Sequence, residues 1–90
     1  MDSRQYTFNK STLTVKFGNI IDTKAEVIVS SDDCYVTMGG GVSHAILWAG
    51  GEAIIKDAQK MVPVPLGDVI ATTAGTLEHQ KYVFHCITID

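Results

Sequence analysis

The chain has 90 residues, 46% of them hydrophobic, which suits one small globular domain and leaves no room for a second. Seven basic residues stand against ten acidic ones, for a net charge of −3, and the lysines are scattered, so the basic footprint of a nucleic-acid binder is missing. No apolar stretch nears the roughly 20 residues that cross a bilayer, and Met1-Asp2-Ser3-Arg4-Gln5 has no apolar signal region, so no membrane partner is expected. Cys34 and Cys86 follow no CxxC spacing and sit in no Cys/His cluster, which predicts reduced thiols and a cytoplasmic setting, with no metal or separate cofactor. A domain this short gains stability from a ligand or a partner chain.

Gln5-Tyr6-Thr7-Phe8 alternates polar and apolar and predicts a half-buried strand. Asn9-Lys10-Ser11 is turn chemistry, and Leu13-Thr14-Val15-Lys16-Phe17 alternates again, so the two runs predict a hairpin with Leu13, Val15 and Phe17 on one face. Asp22 to Ala25 reads as a turn or helical turn. Glu26 to Ser31 reads as a strand, covered on both faces at its β-branched centre Val27-Ile28-Val29 and stopped by the polar run Ser30-Ser31-Asp32-Asp33.

Val42, Ala45, Ile46 and Ala49 fall at i, i+3, i+4 and i+7 and predict a helix. Gly50-Gly51 interrupts it. Ala53 to Met61 restarts it, with Ala53, Ile54, Ala58 and Met61 as the buried stripe, until Pro63 and Pro65. Val69 to Thr73 reads as a strand, and Tyr82 to Ile87 as a second one apolar enough to be central. The order β-β-β-α-α-β-β predicts a layered α/β sheet, with a ligand at the carboxyl ends of its strands. The loop after Val29 leads to such an end.

That loop carries Met38-Gly39-Gly40-Gly41-Val42 at the mouth of the first helix. Glycines let backbone approach a ligand closely, and the first amides of a helix lack internal partners, so this pattern suits a phosphate or carboxylate. A plain flexible turn is the alternative. The spacing matches neither the dinucleotide fingerprint nor a P-loop. Asp32 and Asp33, just before the loop, read either as acceptors for ribose hydroxyls or as turn caps. His44 reads as an exposed helical histidine or a phosphate donor, His85 as a satisfied core histidine, His79 as solvated and Trp48 as a packing residue.

Four stretches in this order resemble the N-terminal part of a macro domain, the ADP-ribose-binding module. They are Phe17-Gly18-Asn19-Ile20; Val27 to Asp33; Met38 to Gly51; and Pro65-Leu66-Gly67-Asp68-Val69 through Lys81 to His85. The resemblance implies a three-layer α/β/α sandwich with a mixed sheet, formed by residues 1–90 as a single but partial domain. A full macro domain continues past the His85 strand with further helices and strands, including a second glycine-containing phosphate loop. A fragment, a minimal variant that oligomerises and one module of a larger assembly are all compatible with that.

By the same resemblance, Asn19 and Ile20 lie near adenine, Asp33 near the distal ribose, and Gly39, Gly40, Gly41 and Val42 line the diphosphate and distal ribose, with Ser43 a further candidate ligand-binding residue. Asn19 stands where the family usually has aspartate, and Asp33 where it has asparagine. Ser43 and Leu47 occupy the positions of the aspartate and histidine of hydrolytic members, and neither serves as a general base. The expected function is therefore binding of ADP-ribose or a related NAD-derived nucleotide. A structural domain of a larger or oligomeric complex is the alternative, and an ADP-ribosyl hydrolase comes third.

Overall fold

The computed structural model describes residues 3–89. Strands β1 (Ser3–Phe8) and β2 (Ser11–Lys16) form an antiparallel hairpin, closed between Phe8 and Ser11 by a two-residue turn. Asn9 opens the turn at φ 55°, a left-handed conformation that asparagine tolerates and a tight hairpin needs. The expected alternation is there, but the expected half-burial is not. Both strands are exposed along their whole length, and Phe17 lies just beyond β2 at 84% exposure.

The helical turn comes slightly earlier than expected. It is a 3-10 turn over Ile20–Asp22, not Asp22–Ala25, because the Asn19 side-chain oxygen caps it by accepting from the Ile21 N–H at 3.0 Å. Strand β3 (Val27–Asp33) runs through the polar cluster that was expected to end it. Its partner, β5 (Tyr82–Ile89), pairs with it in parallel over that stretch, from Val27 beside Tyr82 to Asp32 beside Ile87, and the register slips between Asp32 and Asp33. Strand β4 (Val69–Thr73) pairs antiparallel on the other side of β5. The sheet order β3-β5-β4 puts β5 in the centre, as its composition predicts, and makes the sheet mixed. Gln80 aligns the parallel pair from below: its Nε2 donates to the carbonyls of Thr23 and Ala25, both at 2.8 Å.

Helices α1 (Gly41–Gly50) and α2 (Glu52–Ala58) pack on one face of the sheet, α1 over β3 and α2 over β4. The core between them is Ile46, Ile54 and Ala58 against Ile28, Val83 and Ile87, closed at the edges by Val36, Met38, Val64, Ala74 and Leu77. Asp57 pins α2 to β4, accepting from the Thr73 N–H at 2.7 Å.

The buried face of α1 is rotated from the expected one. Ser43, Ile46 and Gly50 face inward, whereas Val42 and Ala45 are exposed. The reason lies at Gly50 and Gly75. A Cβ on Gly50 would sit 2.9 Å from the Ala74 carbonyl oxygen, and one on Gly75 would overlap the Gly50 backbone. This close approach draws the C-terminal end of α1 onto the connection before β5, and the Thr76 N–H seals it by donating to the Gly50 carbonyl at 2.9 Å. In α2 only Ile54 and Ala58 of the expected stripe are buried, since the helix ends at Ala58 and leaves Met61 outside.

The opposite face of the sheet is bare. Val29, at 54% exposure, pairs across to Phe84 (38%) and on to the exposed Ala71. Tyr82 and Val69 extend this apolar surface. Val27-Ile28-Val29 is therefore covered on one face only, by way of Ile28. The described residues supply the sheet and one helical layer of the expected sandwich.

Candidate functional site

The loop leaving β3 is anchored by what it buries. Val36 and Met38 both adopt left-handed backbone, at φ 51° and 54°, and both are 1% exposed. A β-branched residue pays a strain penalty there, which core burial of its side chain offsets. The residues between and after them, Thr37 and Gly39 to Val42, face solvent. Alternate burial thus holds the chain down while its glycines project.

Asp33 closes the start of this loop. Its Oδ1 accepts from the Thr37 N–H at 2.8 Å and from the Thr37 hydroxyl at 3.0 Å, and its carbonyl accepts from the Val36 N–H at 3.0 Å. Burial raises the Asp33 pKa, but the Thr37 bonds, with further backbone donors at Asp33 and Tyr35, outweigh it and hold the carboxyl below its ordinary value of 3.8. Of the two readings of Asp33, the turn cap is the one its hydrogen bonds express.

The three glycines differ from Gly50 and Gly75. A Cβ at Gly39 would meet only Thr37 Oγ1, at 3.9 Å, and at Gly40 or Gly41 it would meet nothing. Gly41 is at φ 60°, which accounts for glycine there, but Gly40 is extended at φ −157°. Neither packing nor backbone conformation within the chain requires glycine at 39 or 40. What glycine leaves there is open space in front of a helix.

That helix end is unneutralised. No side chain caps α1 and its first turn holds no acidic residue. The first intrahelical bond runs from the His44 N–H to the Gly40 carbonyl, so the amides of Gly41, Val42 and Ser43 lie ahead of it. The Ser43 side chain is turned inward, and its hydroxyl donates to the Gly40 carbonyl at 2.8 Å. Ser43 therefore faces the site with its backbone, not its hydroxyl. Leu47, the other hydrolase-like position, is half-buried against the core. His44 is exposed beside Trp48, their ring centroids 6.4 Å apart, and Trp48 is 85% exposed, so the expected packing role for it is not met.

The Ile20–Asp22 turn packs against α1, the helix that the glycine loop leads into. A groove of about 860 Å³ opens between this turn and β2, lined by Lys16, Phe17, Asn19, Ile20 and Lys24 among others. It takes in Asn19 and Ile20 but none of Gly39, Gly40 and Gly41. The capping bond to Ile21 occupies one lone pair of the Asn19 oxygen.

Asp32 is placed quite differently from its neighbour. It is buried, with Oδ2 2.7 Å from His85 Nδ1, and His85 Nε2 is 2.8 Å from the Thr72 hydroxyl. A carboxylate, an imidazole and a hydroxyl in line have the form of a nucleophile and its base. All three are essentially closed to solvent, and no substrate can meet them. Asp32 is thus a core partner of His85 and not a ribose contact, and His85 is the satisfied core histidine that its apolar strand predicts. No group of three or more metal-ligating side chains occurs among the described residues, nor any helix long and apolar enough to cross a membrane.

The family model for the macro domain matches residues 29–90, more than half of the chain. The chain belongs to the macro domain family. The mixed-sheet α/β fold implied by the resemblance is the fold observed. Among curated relatives, the macro domain is 32% identical over 85 residues to a protein of Aeropyrum pernix, covering 94% of this chain and 44% of that one. It is 38% identical over 74 residues to a macro domain-containing protein of Caldanaerobacter subterraneus, covering 78% of this chain and 42% of that one. Among solved structures it is similar to the Oceanobacillus iheyensis macrodomain with ADP, at 29% identity and a TM-score of 0.87 over 96% of this chain and 48% of that one. A mutant of the same macrodomain with ADPR matches at 28% identity and a TM-score of 0.88 over 96% of this chain and 50% of that one. The chain thus spans less than half the length of these curated relatives.

Thr37 is the residue that sequence reading passed over. It stands between Asp33 and the space in front of Gly39, and its position depends on the left-handed backbone of Val36 and Met38, for which a β-branched residue gives no signal.

Proposed function

We propose that this macro domain binds ADP-ribose or a related NAD-derived nucleotide, with the diphosphate against the Gly39–Val42 backbone and the first amides of α1. The observation that carries this reading is the open space at Gly39 and Gly40, two glycines that the chain's own packing does not need. Backbone amides at an uncapped helix end favour an anion, and the missing Cβ atoms allow it to approach. The solved macrodomain with ADP supports the choice of nucleotide. Asn19 and Ile20 serve the adenine end in this reading, and Ser43 contributes its amide. The test is a calorimetric titration of the folded chain with ADP-ribose. Heat that saturates at one site supports the reading, and a folded circular-dichroism spectrum without any heat overturns it.

The bare sheet face favours a second reading, a role in assembly. An apolar surface that crosses three strands is what protein interfaces bury. A homo-oligomer, or docking onto a larger partner, would cover Val29, Phe84 and Val69. Sedimentation that shows only monomer at high concentration counts against the homo-oligomer.

A further inference from the structure

We propose that Asp33 is a positioning residue that acts through Thr37: it holds the glycine loop ready for an anion, and its charge weakens the anion's binding. This rests on the nucleotide-binding reading above. The geometry leads from one residue to the next. The register slip after Asp32 takes Asp33 out of the regular ladder, next to Ile89, and its carboxylate clasps both the amide and the hydroxyl of Thr37. The Thr37 hydroxyl oxygen in turn lies 3.9 Å from where a Gly39 Cβ would sit, so it borders the space proposed for the ligand. Between these points the chain passes through the left-handed residues Val36 and Met38. Backbone held in such a conformation needs its surroundings to define it, and the Asp33 clasp spans the first of them.

Two consequences separate this role from direct contact with a ribose hydroxyl. The clasp needs an acceptor oxygen but no charge, so asparagine can replace aspartate in it. The charge, which any carboxylate carries at neutral pH, is a cost to an anionic ligand one hydroxyl away. Removing the charge while keeping the oxygen should therefore strengthen binding.

The test compares the wild-type chain with Asp33→Asn and Asp33→Ala, using titration with ADP-ribose and amide hydrogen exchange at Thr37. Asp33→Asn should keep the Thr37 amide protected and bind ADP-ribose up to about tenfold more tightly, as the removal of one screened like charge near the ligand allows. Asp33→Ala should expose the Thr37 amide and weaken binding about tenfold, because the loop is no longer preorganised. Asp33→Asn binding more weakly than wild type overturns the proposal, since the carboxylate would then be a contact in its own right. Unchanged Thr37 protection in Asp33→Ala overturns it as well. Should the wild-type chain give no heat with ADP-ribose, the nucleotide reading fails, and the exchange measurement still decides whether Asp33 positions the loop.

Discussion

The His85 ring lies 2.7 Å through Nδ1 from the Asp32 carboxylate, and both side chains are sealed beneath the helices. His85 Nε2 meets the Thr72 hydroxyl, which ties β5 to β4, while the Asp32 bond ties β5 to β3. All three strands of the sheet are thus joined by one polar line through an otherwise apolar core. The Asp32 Oδ1 and the Ser30 hydroxyl beside it are buried without a partner, so Asp32 has little else to rely on.

Breaking that line should be severe. Asp32→Ala leaves the buried Nδ1 of His85 without its hydrogen-bond partner, a loss of about 1–3 kcal/mol. In a domain of this size that lowers the melting temperature by roughly 5 °C or more. A thermal melt by circular dichroism checks it, and a fall of only a degree or two would show that the pair contributes nothing.

The glycines should divide into two groups. Gly40→Val places a side chain in open space on extended backbone, so the melting temperature should stay within about 2 °C of wild type while ADP-ribose binds more weakly. Gly75→Ala meets both a φ of 59° and the Gly50 backbone, and should cost about 2 kcal/mol or more. Paired melts and titrations of the two variants decide between the roles.

Acid should weaken the loop clasp. The folded-state pKa of Asp33 is depressed, so its contribution to stability is complete above the ordinary carboxylate range and is lost as pH falls through the folded value. Asp33→Asn does not titrate at this position. The stability difference between wild type and Asp33→Asn should therefore be constant from neutral pH to about pH 5 and shift against the wild type below it. Urea midpoints at pH 7, 5 and 3 measure this, and parallel curves throughout would contradict it.

Charge on the bare sheet face should report on assembly. Phe84→Glu points away from the helices and leaves the core between α1, α2 and the sheet untouched. In the assembly reading, wild type sediments above monomer mass at about 100 μM, in the range of weak protein interfaces, and Phe84→Glu returns it to monomer. Identical monomeric profiles for both would remove self-association as the use of this face.

Much of the fold can be read from local pattern. Asn9-Lys10 closes the hairpin, Val69–Thr73 is the strand expected there, and β5 is central because its residues are apolar enough for that place. The misreadings all concern which neighbour a residue meets. Ser30 to Asp33 have turn chemistry, yet parallel pairing with β5 extends the strand through them. Val42 and Ala45 fit an apolar stripe, yet the Gly50–Gly75 approach turns α1 to bury Ser43 instead.

The site divides along the same line. Sequence alone determines that three glycines precede a helix at the end of a strand, because covalent order and local conformational freedom are properties of adjacent residues. It also determines the macro domain resemblance. Only tertiary structure decides that two adjacent aspartates have opposite fates, Asp32 locked under the helices with His85 and Asp33 turned to Thr37. Their side chains leave opposite sides of the strand, and a register slip between them sets the direction of the second. Which side of a strand faces the core depends on what packs against it, and that is settled by residues more than fifty positions away.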